Sequence, residues 1–140
     1  MSSSIVFFRA LLLMSVGLGL IGSFIDAVFP SLVPEPLRAA FEALPDTPTP
    51  ALVGAGALVV ITFGGTIAAI AGLLFFQPWS RTLAVSMTVL SLLFYPLLGV
   101  SIHSGWAQLF LDLSTTLWGV VLAMTYFSSL STKFEPRRSS

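Results

Sequence analysis

Four long apolar stretches alternate with short polar breaks along this chain, at residues 8–29, 51–76, 82–102 and 105–128. A helix needs about 20 apolar residues to cross the hydrocarbon of a bilayer, and each stretch reaches about that length. Lipid offers the backbone no hydrogen-bond partner, so each stretch is expected as a helix. The pattern predicts an all-α integral membrane protein. It forms a single membrane domain, residues 1–140, built as a four-transmembrane-helix bundle.

The breaks differ in length. Residues 77–81, Gln-Pro-Trp-Ser-Arg, make a tight turn in which Pro78 stops the second helix. Residues 103–105 make a tighter one, so the third and fourth helices are expected as antiparallel neighbours. The break from Pro30 to Pro50 is longer. In it Glu35 caps a helix beginning at Pro36, and Leu37, Ala40, Phe41 and Leu44 share one face at helical spacing. Residues 35–44 are therefore expected as a short extracytoplasmic amphipathic helix, lying on the membrane surface or over the bundle. Pro45, Pro48 and Pro50 then form a stiff return. Residues 132–140 read as a polar, basic, disordered tail.

Composition agrees with the pattern. The chain is 56% hydrophobic and 9% charged, with mean hydropathy +0.98, whereas soluble domains carry charge on about a quarter of their residues. Without cysteine there is no disulfide, thiolate metal site or cysteine nucleophile. A single histidine, His103, excludes a multi-histidine metal site within one copy. Neither metal nor cofactor is expected, and a net charge of zero gives no footing for nucleic acid.

The basic residues set orientation. With four spans, Arg9, Arg81, Lys133, Arg137 and Arg138 fall on one side and Arg38 alone on the other. The first side is then cytoplasmic and holds both termini. Asp26, Glu35, Glu42 and Asp46 sit at or beyond the opposite face. Trp79 and Tyr126 mark the inner interface and Trp106 the outer. Residues 8–29 outrun the core of a signal peptide and end on a poor cleavage site, Ile25-Asp26-Ala27, so they are expected as a retained helix. The stretch Gly72 to Arg81 resembles inner turns of small four-span bacterial proteins. That resemblance implies a bacterial inner (plasma) membrane.

Membrane helices associate through close packing and hydrogen bonds, so small residues mark contact faces. Ser15, Gly19, Gly22 and Asp26 form such a stripe on the first helix. Gly64, Ala68 and Gly72 form a ridge on the second. Gln108, Asp112, Thr115, Thr116, Gly119 and Ala123 form a polar, small face on the fourth. Internal packing explains these faces, and so does contact with a second copy or a larger complex. The charge-free second helix is the first candidate for an external contact. Tyr95-Pro96 predicts a kink in the third helix.

Asp112 carries the strongest hint of chemistry, because a carboxyl group at that depth is costly without a partner, a water path or a task. If the first and fourth helices meet through their small faces, Asp112, Gln108, Asp26, His103 and Tyr95 form an outward-open polar site. In one reading it moves protons or cations, with Asp112 titrating and His103 relaying. In the other, Asp112 is a hydrogen-bond anchor to Gln108, Tyr95 or a serine. Residues 17–22 spell Gly-x-Gly-x-x-Gly, but inside a span with no preceding strand. Enzyme signatures are otherwise absent. The expectation is a non-enzymatic accessory or assembly subunit that packs against other membrane helices, in a homo-oligomer or larger complex. The alternative is a homo-oligomeric channel or a proton- or cation-coupled carrier using Asp112. An intramembrane enzyme comes third.

Overall fold

The computed structural model describes residues 3–43, 49–94 and 102–135. In chain order the elements are α1 (Ser3–Val28), a 3-10 turn (Pro30–Leu32), α2 (Glu35–Glu42), α3 (Thr49–Leu74), α4 (Pro78–Phe94), α5 (Gly105–Phe127) and a closing 3-10 turn (Ser131–Phe134). No strand occurs among the described residues. Among the described residues, three helices are long and apolar enough to cross a membrane: α1, the Gly56–Leu74 part of α3, and α5. The chain is thus a helical membrane protein. The described part of α4 has 17 residues. Tyr95, Pro96 and the rest of the expected third span up to residue 101 lie outside the described residues, as do Leu44, Pro45, Asp46 and Pro48.

Local chemistry sets the element ends. Phe76 ends α3 in the left-handed region at φ 55°. Its N–H donates to the Leu73 carbonyl at 3.2 Å, and that of Gln77 to the Gly72 carbonyl at 2.9 Å. These two bonds close the helix in the manner usually built on glycine. Pro78 opens α4, where its fixed φ and missing N–H cost nothing. Ser104 caps α5, its hydroxyl accepting from the Ala107 N–H at 3.2 Å. The α2 helix begins at Glu35, one residue before the expected start. The Pro34 carbonyl receives the Leu37 and Arg38 N–H groups at 2.9 and 3.2 Å, so a backbone oxygen sits where a side-chain cap was expected. Arg38 lies 3.7 Å from Glu35.

The long helices form two antiparallel pairs, α1 with α5 and α3 with α4. Along the first pair Asp26 meets Ser104, Gly22 meets Ala107 and Leu111, and Gly19 and Ser15 meet Ser114. A Cβ on Gly22 would lie 3.0 Å from the Ala107 carbonyl oxygen, so this glycine permits the close approach. Along the second pair Gly65 meets Met87, and Gly72 meets Ser80 and Trp79. The pairs touch where Trp118 donates to the Thr88 hydroxyl at 2.9 Å and Arg81 lies 5.3 Å over the Tyr126 ring.

They join most firmly at one end. Phe8, Phe76 and Phe134 stack there with centroid separations of 5.2 to 6.2 Å. Arg9 donates to the Leu74 carbonyl at 3.0 Å and lies over Phe76. The expected disordered tail is corrected here. Residues 131–134 form a turn and Phe134 is fully buried, because an aromatic side chain at that point reaches the cluster. Residues 136–140, with Arg137 and Arg138, lie outside the described residues.

Candidate functional site

Two polar groupings occupy the half of the molecule opposite the phenylalanine cluster. The first is built on the ends of α1 and α5. Asp26, near the last turn of α1, accepts the Ser104 N–H through Oδ2 at 2.8 Å. His103 Nδ1 lies 3.9 Å from the same oxygen. The side chains of Asp26 and His103 keep 17% and 31% of their surface exposed. Asp26 Oδ1 is buried and accepts no hydrogen bond from the described residues. A cleft of about 260 Å³ opens beside it, bounded by Asp26, Pro30, Val33, Arg38, Glu42 and Ile102. Asp26 thus ties the end of α1 to the start of α5. Its bond to Ser104 also holds the residue that caps α5, so two successive bonds fix that helix end.

The second grouping lies on the outer side of α5. Gln108 Nε2 donates to Asp112 Oδ1 at 2.9 Å. Gln108, Asp112, Thr115, Thr116, Gly119 and Ala123 are all exposed. The two threonine hydroxyls donate back to the carbonyls of Leu111 and Asp112, at 2.9 and 2.8 Å. A Cβ on Gly119 would meet nothing within 4 Å. The neighbouring exposed residues Leu109, Leu113 and Val120 are apolar.

The expected single pocket is therefore two sites. Asp26 and His103 come together, with Ser104 as the third member. Asp112 and Gln108 pair with each other on a different face of α5. Tyr95 lies outside the described residues. The expectation brought the wrong side of α5 to the α1 stripe. In the structure the groove cut by Gly19 and Gly22 takes Ala107, Leu111 and Ser114, which lie on a different side of α5 from Asp112. Ala107, Val121 and Thr125 are buried on that inward side of α5, which leaves the polar face outside. The α3 ridge divides likewise. Gly72 is buried against α4, while Gly64 meets nothing and Ala68 is exposed.

One feature was not foreseen. Ser15 Oγ donates to the Ser114 carbonyl at 2.9 Å, and Ser114 Oγ donates to the Ser15 carbonyl at 2.8 Å. The signal was available in the spacing: Ser15 lies eleven residues before Asp26 and Ser114 ten after Ser104. No group of three or more His, Asp or Glu side chains that could hold a metal ion occurs among the described residues. Comparison with known proteins finds no match, whether to a family model, a curated protein or a solved structure.

Proposed function

We propose that this chain is a non-enzymatic accessory or assembly subunit of a membrane complex, and that it works by presenting the polar face of α5 to another membrane helix. The observation that carries this reading is the outward position of Asp112 and Gln108 on a helix apolar enough to span. Asp112 lies seven residues beyond the first residue of α5, about 10 Å along its axis. A carboxyl group at a helix centre costs about 3 kcal/mol on insertion scales, and exposed Leu109 and Leu113 leave this one in apolar surroundings. Cover from a second helix removes that cost. Gly119, one face of which is open, lets a partner backbone approach.

In this reading all four long helices cross a bacterial inner membrane, with both termini in the cytoplasm and α2 outside. Arg9, Arg81 and Lys133 support it, because they belong to segments that meet at one end of the molecule, beside the phenylalanine cluster. Leu37, exposed on α2, suits a helix resting on the outer surface.

The test is the mass and composition of the particle extracted from native membranes in mild detergent. The wild-type chain is expected in a particle heavier than one copy, and Gly119→Leu is expected to release it as a monomer. A monomeric wild-type particle overturns the proposal. The continuity of the polar face from Gln108 to Ala123 also fits the second reading, a homo-oligomeric channel or carrier. Asp112→Asn separates the two, since abolished ion movement with intact assembly favours transport.

A further inference from the structure

We infer that the cleft beside Asp26 binds the headgroup of an ethanolamine phospholipid, with its primary ammonium on the Asp26 carboxylate and its phosphate on Arg38. Asp26 lies two residues before the end of α1, a helix of 26 residues. At that length the helix rises about 39 Å, more than the roughly 30 Å of hydrocarbon in a bilayer. Its last turn therefore reaches the headgroup layer, in either orientation of the chain. The cleft opens at the depth of lipid phosphates and amines.

The Asp26 carboxylate is incompletely satisfied by the protein. Oδ2 accepts the Ser104 N–H at 2.8 Å, and His103 stands 3.9 Å from the same oxygen. Oδ1 is buried and takes no hydrogen bond from the described residues. A carboxylate removed from bulk water calls for donors and a counter-charge. Asp26 borders the cleft and keeps 17% of its side chain exposed, so it is approachable from that side. A single water needs about 10–15 Å³ of such space. The cleft offers about 260 Å³, which suits a group of several heavy atoms.

Both signs of charge border it, with Asp26 and Glu42 negative and Arg38 positive. Among the described residues Arg38 makes only an exposed 3.7 Å contact with Glu35, so guanidinium N–H groups are available to a phosphate. Every described residue of α2, which carries Arg38 and Glu42, is exposed, and a lipid can reach the cleft beneath it. Pro30, Val33 and Ile102 supply apolar walls. The ligand must therefore donate N–H bonds, carry a positive charge toward two carboxylates and present an anion to Arg38. An ethanolamine headgroup does all three. A choline headgroup has both charges and no N–H. A glycerol headgroup has hydroxyl donors and no positive charge.

The test is native mass spectrometry of the full chain released from detergent micelles. Dioleoyl phosphatidylethanolamine, its N,N-dimethyl form, phosphatidylcholine and phosphatidylglycerol with the same acyl chains are added in turn. The first two keep an N–H and should bind about tenfold more tightly than the other two, the worth of one hydrogen bond to a charged group. Asp26→Asn retains an acceptor for Ser104 but removes the charge, and should erase that preference. Arg38→Gln, at an exposed position, should weaken the ethanolamine lipid severalfold while thermal unfolding stays as in the wild type. Equal binding of all four lipids, or a preference that survives Asp26→Asn, overturns the inference. Undiminished binding by folded Arg38→Gln overturns it as well. Soluble O-phosphoethanolamine at the lipid's concentration should leave the adduct in place, and full displacement overturns the lipid as the source of the headgroup.

Discussion

Asp26 holds together much of the end opposite the phenylalanine cluster. Its carboxylate takes the N–H of Ser104, and Ser104 in turn caps α5. Removing one partner of such a bond leaves a backbone donor unpaired, at a cost of about 1–3 kcal/mol. Asp26→Ala is expected to lower stability by that amount in thermal unfolding of the detergent-solubilised protein, with Asp26→Asn much closer to wild type. An unchanged Asp26→Ala would show the Ser104 N–H satisfied from elsewhere. Phe134 makes a parallel case at the other end. It is fully buried between Phe8 and Phe76, and a buried Phe→Ala change costs about 3–5 kcal/mol. Phe134→Ala should therefore destabilise markedly in the same assay, whereas a loose tail would make it silent. The sequence did not disclose this role, because a lone aromatic among Thr132, Lys133 and Glu135 gives no periodicity to read.

At the scale of elements, glycines that look alike in sequence divide into two kinds. Gly22 sits where a Cβ would press on backbone of α5 at 3.0 Å, and backbone yields little. Gly119 sits where a Cβ meets nothing. Gly22→Ala is expected to destabilise the monomer by about 1–3 kcal/mol. Gly119→Ala should stay within about 0.5 kcal/mol of wild type. Unfolding of the monomer in a dispersing detergent measures both, and equal effects would contradict the assigned faces. Helix existence and the small stripe on α1 were legible from the apolar runs and the spacing of Ser15, Gly19, Gly22 and Asp26. The side of α5 that answers that stripe was not. The polar face looked like the natural match, but the stripe packs on Ala107, Leu111 and Ser114 instead.

For the whole molecule, two antiparallel pairs joined through the phenylalanine cluster place the start of α1 and the end of α5 together. Reporter fusions to the two termini should therefore register the same compartment, the cytoplasm on the proposed orientation. Opposite compartments would rule out four crossings. One side of α5 is packed on α1 and its polar side is exposed; in the proposed assembly a second helix covers that polar side. Oxygen collision with a spin label on Thr115→Cys tests this most directly, with a label on Leu113→Cys as the lipid reference. In the assembled particle the Thr115 label should be shielded and the Leu113 label accessible. When Gly119→Leu disperses the particle, the Thr115 label should become as accessible as the reference. A label that stays shielded in the dispersed monomer would contradict the proposed assembly, since that face would then be packed inside a single copy.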